Sequence, residues 1–292
     1  MVELRPATPA EIPAQKALWQ LVFGDSPETI DSFYRRCAAC ADMIVLTEDG
    51  VLRSMLALLP MTLELPDGGT ARAYYIYALA TDPHARGQGF GRQLLNYADF
   101  YLREKGADCV TVVPAEISLH RFFGMVGFSE CFATRKRELT AAMVVPSAPE
   151  DTIAPISPAE YGVLREQALA GQAHMKYSDA LLGYQADLSH LEGGDLYRIA
   201  ANGHTGCAAA EYFDRESVLL KELLIAPCAM PRAMAQLRDA LPAARYYARM
   251  PQPWDGLPVS CIQTFAMIKW YNEPLRLGWG EDVSGYFGLG FD

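Results

Sequence analysis

A glycine-rich loop between a predicted strand and a predicted helix is the feature that most constrains this 292-residue chain. The loop is Arg86-Gly87-Gln88-Gly89-Phe90-Gly91; it follows the apolar run 73–80 and precedes the helical pattern 92–105. Three glycines in five residues allow the backbone to come close to a ligand. The N–H groups of such a loop and of the helix start form an anion site. The pattern therefore predicts a strand, loop and helix that bind a pyrophosphate.

The spacing of the glycines excludes two common phosphate-binding motifs. The P-loop string, Gly-x-x-x-x-Gly-Lys-Ser/Thr, does not occur, and Gly-x-Gly-x-x-Gly fails because the glycines stand at 87, 89 and 91. Arg-x-x-Gly-x-Gly does fit, at Arg86, Gly89 and Gly91. The alternative is a strand-to-helix turn with a purely structural role.

This loop resembles the acyl-coenzyme A loop of the GNAT N-acetyltransferase superfamily. Its surroundings are similar too, with Leu79-Ala80-Thr81-Asp82-Pro83 before it and Phe122-Phe123-Gly124-Met125-Val126-Gly127-Phe128 after it. The resemblance covers about residues 1–140. It implies an α+β fold with a mixed α/β sheet, acetyl-CoA as cosubstrate, and N-acetyltransferase activity.

The resemblance also implies where the coenzyme binds. The strand ending near Ala80 and the strand at 109–113 would splay apart and hold the pantetheine arm between them, with its amides pairing to the backbone of Leu79 and Thr81. A free N–H near Leu79 or Ala80 would polarise the thioester carbonyl. The expected coenzyme contacts are Leu79, Ala80, Thr81, Arg86, Gly87, Gln88, Gly89, Phe90, Gly91, Arg92 and Phe123.

The catalytic acid departs from the family pattern. The family usually has a tyrosine five residues before the Phe of its Gly-Phe pair, and here that position is Phe123, which cannot donate a proton. His120 and Tyr77 are candidate donors, although a surface histidine and a core aromatic are the alternatives. Glu116 is a candidate base for the amine, or a cap of the short helix after it.

The end of the chain supplies one more candidate. Residues 284–292 are aromatic and apolar, so we expect them to be packed. Tandem proteins of this kind resemble the enhanced-intracellular-survival acetyltransferases, whose terminal carboxylate enters the active site, but this chain is too short for their third, sterol-carrier-like domain. By analogy the α-carboxylate of Asp292 would orient or deprotonate the amine, whereas packing alone is the preferred interpretation.

The second half of the chain repeats the order of elements of the first. A predicted hairpin turn at Asn202-Gly203 stands where Asp49-Gly50 stood, and Ala226-Pro227 parallels Asp82-Pro83. The glycine loop is replaced by Cys228-Ala229-Met230-Pro231, in which Pro231 has no N–H to offer. We therefore expect a GNAT domain at 1–142, a proline-rich linker at 143–158, and at 159–292 a degenerate GNAT-like domain without a cofactor site. That second domain would contribute to the acceptor pocket. An unrelated α+β domain is the alternative.

Charge and composition limit the classes of partner that the chain is expected to bind. The net charge of −10 argues against nucleic-acid binding and suits a cationic substrate, although it also fits a merely acidic surface. One isolated Cys-x-x-C pair, Cys37 and Cys40, and histidines without His-x-x-x-His spacing predict no metal. Short aliphatic runs and an N-terminus without an apolar segment predict no membrane contact and a cytoplasmic location.

Together these features predict an acetyl-CoA-dependent N-acetyltransferase. It would transfer acetyl to the primary amine of a small, cationic acceptor by direct attack on the thioester. Glu211 and Glu222, on predicted strands, could bind the cation or face solvent. The alternative is a weakly catalytic acyl-CoA sensor or pseudo-enzyme, for which Phe123 is the argument. The acceptor's identity and a homo-oligomeric state stay open.

Overall fold

The computed structural model of the protein describes residues 1–280 and 283–291. The strands are β1 (Val2–Pro6), β2 (Asp42–Glu48), β3 (Val51–Glu64), β4 (Thr70–Thr81), β5 (Cys109–Val112), β6 (Ser129–Thr140), β7 (Thr152–Pro155), β8 (His174–Lys176), β9 (Asp195–Ala201), β10 (His204–Asp214), β11 (Ser217–Leu224), β12 (Arg245–Pro251) and β13 (Cys261–Trp270). The helices are α1 (Ile12–Phe23), α2 (Pro27–Cys37), α3 (Phe90–Glu104), α4 (Ile117–Met125), α5 (Pro158–Ala168), α6 (Asp179–Leu191), α7 (Met230–Ala240) and α8 (Glu273–Trp279).

The described chain divides into two compact units, each built from non-consecutive segments. Unit 1 contains the described parts of Met1–Leu63, Gly69–Glu130 and Ala266–Glu281. Unit 2 contains the described parts of Glu64–Gly68, Cys131–Phe265 and Asp282–Asp292.

Unit 1 is a sheet in the order β1-β2-β3-β4-β5, with helices packed on it. Asp49 and Gly50 both adopt positive φ, which gives the predicted tight hairpin between β2 and β3. Next along the sheet, β5 pairs in parallel with β4 and antiparallel with residues 267–270 of β13. The apolar face of α3 covers the sheet with Leu94, Leu95, Ala98 and Leu102, all buried. This packing fixes the start of α3 relative to the end of β4.

Unit 2 has the strand order β7-β9-β10-β11-β12-β6. A second hairpin with two positive-φ residues, Asn202 and Gly203, joins β9 to β10 as predicted. The strands β11 and β12 form the parallel pair, and α7 supplies much of the buried apolar cluster on one face.

The two units share a local irregularity as well as an order of elements. In each unit, the pairing of two parallel strands ends while the strand that comes first in the sequence continues. The last residue pair is Ile76↔Val112 between β4 and β5 in unit 1, and Leu220↔Ala248 between β11 and β12 in unit 2. Just beyond these points, Ala78 has φ 50° and the β10–β11 register shifts by one residue at Lys221. A backbone irregularity at corresponding places favours a repeated domain over an unrelated one.

The boundaries of the two units differ from the predicted domain boundaries because each unit contains a strand from the other half of the sequence. Residues 134–140 of β6 pair with β12 in unit 2, and residues 267–270 of β13 pair with β5 in unit 1. Neither unit therefore coincides with 1–142 or 159–292. This exchange of strands satisfies the backbone along the second edge of β5, which sequence-adjacent strands do not cover.

The predicted linker 143–158 is not wholly irregular. Thr152–Pro155 form β7, which pairs antiparallel with β9 at the edge of the unit 2 sheet. Proline is tolerated there because an edge strand needs hydrogen bonds on one side only. Four residues of the predicted linker are therefore a strand.

Candidate active site

The glycine loop adopts backbone conformations that favour glycine. Gly87 and Gly89 have φ of 82° and 78°, and Gly89 is the residue that precedes the first turn of α3. A Cβ at either position would meet no atom within 4 Å, whereas one at Gly91 would lie 3.6 Å from Thr81 Oγ1. The positive φ therefore explains why glycine stands at positions 87 and 89, whereas no neighbouring atom of the protein would exclude a side chain there.

Helix α3 begins directly at this loop. Phe90 is buried and anchors the first turn, while the side chains of Arg86, Gln88 and Arg92 are exposed. The first N–H groups of a helix have no acceptor within the helix, and the helix dipole adds partial positive charge there. The predicted coenzyme-loop residues are therefore continuous with the start of α3, and their binding of an anion stays a prediction.

Hydrogen bonds from the neighbouring strand β3 hold the end of β4, which precedes the loop. The hydroxyl of Ser54 donates to the Ala80 carbonyl at 2.7 Å and lies 2.9 Å from Thr81 Oγ1. The N–H of Asp82 donates to the carbonyl of Arg53 at 2.8 Å. Sequence analysis missed Ser54, whose only signal is a small polar residue inside an apolar strand.

Asp82 then caps the turn that leads into the loop. Its carboxylate accepts from the N–H of His84 at 2.9 Å and from Arg53 at 3.0 Å. The His84 N–H, followed by the Arg53 guanidinium, lowers the pKa of Asp82. The turn is thus held by an ionised carboxylate at neutral pH.

Three predicted coenzyme positions lie beyond the last β4–β5 pair. The parallel ladder ends at Ile76↔Val112, but β4 continues through Leu79 and Ala80 to Thr81. Ala78 has φ 50°, a left-handed conformation that is uncommon outside glycine and changes the direction of the backbone at this point. The unpaired end of the β4–β5 ladder and the glycine loop therefore lie in one segment, 77–92.

Phe123 is a core residue. It is only 4% exposed, and its ring centroid lies 5.6 Å from that of Phe128 and 5.3 Å from that of Phe122. Packing therefore explains its side chain fully, and its predicted contact with the coenzyme stays a prediction.

The other catalytic candidates in unit 1 differ in their surroundings. His120 Nδ1 lies 2.6 Å from the Glu130 carboxylate. Glu116 is exposed and occupies the cap position of α4, but its side chain makes no capping hydrogen bond, so the capping role was wrong. Its carboxylate instead accepts from Ser118 at 3.2 Å.

Tyr77 belongs to an aromatic cluster. Its ring centroid lies 5.5 Å from that of Trp19, 5.8 Å from that of Phe33 and 5.8 Å from that of Tyr75. Tyr75 is buried, and Tyr77 is half-buried. Core packing accounts for Tyr75, whereas a proton-donating role for Tyr77 stays a prediction.

The C-terminal segment is packed, as expected, in unit 2. The described apolar side chains at its end are all buried: Tyr286, Phe287, Leu289 and Phe291. Its backbone bonds both to β6 and to β8, through Gly285 N to the Cys131 carbonyl at 3.0 Å and Met175 N to the Tyr286 carbonyl at 3.0 Å. Asp292 lies outside the described residues.

A buried ion pair lies beside this segment. Arg165 Nε donates to the Glu222 carboxylate at 2.9 Å, and Tyr161 and Tyr286 donate to the same carboxylate at 2.6 and 3.1 Å. Burial, followed by the charge of Glu222, raises the pKa of both tyrosines well above its usual value. Arg165 also donates to the carbonyl of Phe287 at 3.3 Å. The pair therefore holds the C-terminal segment in place.

Glu211 and Glu222 cannot serve as free acceptor-binding anions. Both are buried; Glu222 pairs with Arg165, and Glu211 lies 2.9 Å from Lys221. The suggestion that they bind a cationic amine or face solvent was wrong, because internal cations already neutralise them.

The counterpart of the glycine loop in unit 2 is filled by protein. A Cβ on Gly256 would lie 2.3 Å from the Pro227 carbonyl oxygen and 2.6 Å from Met230 Sδ, so its backbone packs directly on the turn before α7. Pro231 in the first turn of α7 contributes no N–H. That this unit lacks a cofactor site stays a prediction.

Residues 3–128 match the family model described as Acetyltransferase (GNAT) domain. These residues belong to the GNAT acetyltransferase family. The GNAT domain includes the end of β4, the glycine loop and α3, and it supports N-acetyltransferase activity. No curated protein matches the chain significantly.

Several solved structures are similar to this chain over most of its length. A conserved Enterococcus faecalis protein matches with TM-score 0.72 and 12% identity, over 95% of this chain and 74% of its own. The GCN5-related N-acetyltransferase from Kribbella flavida matches with TM-score 0.68 and 13% identity, over 94% of this chain and 72% of its own. Eis1 from Mycobacterium abscessus matches with TM-score 0.65 and 13% identity, over 92% of this chain and 73% of its own. At these identities the likeness shows the fold, and it confirms the predicted GNAT fold with a second domain.

Two further properties concern the described residues only. No group of three or more His, Cys, Asp or Glu side chains among them is arranged to hold a metal ion, and the predicted absence of a metal stays a prediction. None of their helices combines the length and apolarity that a membrane span needs.

Proposed function

We propose that this GNAT protein uses acetyl-CoA to acetylate the primary amine of a small, cationic acceptor by direct attack on the thioester. The observation that carries the proposal is the continuous segment 77–92. It contains a strand that leaves its parallel partner at Ile76, a left-handed residue at Ala78, and a glycine loop that opens α3.

The loop residues fit a diphosphate. The N–H groups from Gly87 to Arg92 and the start of α3 would bind its oxygens, and Arg86 and Arg92 would add charge from exposed positions. Phosphate binding by main-chain groups explains how a chain of net charge −10 accommodates a polyanion.

The diverging end of β4 fits the remaining part of the cosubstrate. Backbone groups of Leu79 and Thr81 would pair with the amides of the pantetheine arm, in the manner of an added strand. Acetyl-CoA supplies an activated thioester, and an N–H near Leu79 or Ala80 would stabilise the oxyanion that forms on amine attack.

Loss of the tyrosine at position 123 does not exclude turnover. A thiol has a pKa of about 8.5, so its thiolate is a tolerable leaving group without full protonation. His120 and Tyr77 remain proposed donors, and Glu116 and Asp292 remain proposed bases. The alternative, an acyl-CoA sensor, is favoured by Phe123, which has no proton to donate to the leaving thiolate.

The cationic acceptor is proposed from charge alone. A negative field raises the local concentration of a positive ligand, and the effect weakens with salt. Glu211 and Glu222 are neutralised by internal cations and are not part of the proposed acceptor site.

A turnover assay tests the proposal. The full chain is mixed with acetyl-CoA and a panel of primary amines, and thiol release is followed together with the mass of the amine product. The panel pairs polyamines and aminoglycosides with neutral amines of similar size. We expect N-acetylated product with the cationic members, suppressed by added salt. Coenzyme binding without product from any amine would support the sensor, and product only from neutral amines would contradict the proposed acceptor class.

A further inference from the structure

A cysteine and a histidine lie side by side on the surface of unit 2, outside the GNAT site. Cys228 Sγ is 3.5 Å from His204 Nε2, and both side chains are exposed. That separation is within hydrogen-bonding distance for sulfur. With the ring proton on Nδ1, Nε2 accepts the thiol proton of Cys228.

Two local structures hold this pair together. The hairpin turn at Asn202 and Gly203 places His204 at the start of β10. Cys228 lies in the short 3-10 helix Pro227–Ala229 that leads into α7. The Asn202 amide donates to the Cys228 carbonyl at 3.4 Å, and the Asn202 N–H donates to Asp151 at 3.0 Å, so the turn and the helix are bonded to each other.

The other cysteines provide a comparison. Cys261 is exposed like Cys228, and neither a hydrogen bond nor an ion pair from its thiol is present among the described residues. Cys40 is half-buried, and burial raises the pKa of its thiol. The remaining four, Cys37, Cys109, Cys131 and Cys207, are buried. Exposure together with a neighbouring base therefore distinguishes Cys228.

We propose that Cys228 is a thiol-modification site, activated by His204, that forms mixed disulfides with low-molecular-weight disulfides. His204 takes the proton as Sγ attacks one sulfur of the disulfide. The new Cys228 S–S bond forms while the reagent's S–S bond breaks, and the leaving thiolate takes up the proton as a free thiol. The disulfide is the oxidant, so atoms and electrons balance.

The test follows the chromogenic disulfide 5,5′-dithiobis(2-nitrobenzoate) reacting with the full chain. Stopped-flow absorbance gives the rates, and peptide mass spectrometry identifies the modified cysteine. The variants are Cys228→Ser, Cys261→Ser and His204→Gln. We expect a fast phase of one thiol that disappears in Cys228→Ser and persists in Cys261→Ser. The His204→Gln variant should slow that phase at least about tenfold and leave the Cys261 rate unchanged.

Two results would overturn the proposal. One is a fast phase that survives in Cys228→Ser; the other is a Cys228 rate that changes less than about twofold in His204→Gln while the Cys261 rate stays constant. The constant Cys261 rate and an unchanged circular dichroism spectrum show that the variant is folded. None of these readouts depends on acetyl transfer.

Discussion

Ile76 on β4 and Val112 on β5 form the last pair of the parallel ladder between these strands. Beyond Ile76, β4 continues for five residues to Thr81 and includes the left-handed Ala78. The glycine loop and α3 follow within ten residues. The continuation of β4 past its last pair with β5, rather than any single side chain, forms the proposed acetyl-CoA site.

Ser54 should couple stability to coenzyme binding. Ser54→Ala removes a buried hydrogen bond to Ala80 and a partly buried one to Thr81, and we expect a loss of about 1–3 kcal/mol in unfolding free energy with a severalfold higher KM for acetyl-CoA. Thr111→Val is the control, because it removes one buried hydroxyl bond to the Tyr74 carbonyl. It should lower stability and leave KM unchanged. Equal effects of the two variants on KM would rule out a local role for Ser54.

Arg165 should stabilise unit 2 only as the partner of Glu222. Arg165→Met leaves a buried carboxylate without its cation, and we expect a loss of about 3–5 kcal/mol. The double variant Arg165→Met/Glu222→Gln removes that charge and should regain most of the loss. Urea denaturation of both variants measures the difference. A double variant no more stable than the single one would show that geometry, and not charge, is decisive.

Glu11 should make the first turns of the chain sensitive to acid. Its carboxylate accepts from Arg5 at 2.8 and 2.9 Å, and this interaction, opposed by partial burial and aided by Thr8, lowers its pKa from 4.5 to about 2. A lowered folded-state pKa stabilises the protein above the unfolded value and ceases to do so as pH falls through the folded value. The stability difference between the native chain and Glu11→Gln should therefore shrink between about pH 4.5 and about pH 2. A difference that stays constant over this range would contradict the pairing.

The parts of the fold that depend on short sequence motifs could be predicted from the sequence. Asp49-Gly50 and Asn202-Gly203 demand positive φ and gave hairpins where expected. Arg-x-x-Gly-x-Gly likewise predicted a loop at the start of a helix.

The remaining features depend on contacts far apart in sequence. The pairing of β5 with Met267–Trp270 joins strands more than 150 residues apart, and no local pattern specifies it. Ala78 adopts a left-handed conformation without being glycine, so its residue type gave no signal. From the sequence, Glu222 could face solvent or bind a cation, and only the fold shows that Arg165 lies beside it. Buried charge pairs are visible only when both partners are brought together.

The most direct test compares two glycines of unit 1 that have nearly the same conformation. Gly89 in the loop and Gly50 in the β2–β3 hairpin have φ of 78° and 77°, and a Cβ on either would meet nothing within 4 Å. Replacing either by Leu should cost about 1–2 kcal/mol of stability through left-handed strain. Calorimetric titration with coenzyme A then separates strain from binding. We predict that Gly89→Leu weakens affinity at least about tenfold, a loss of about 1.4 kcal/mol, while Gly50→Leu binds like the native chain. Unchanged affinity in Gly89→Leu, or equal losses in both variants, would contradict a coenzyme site at this loop.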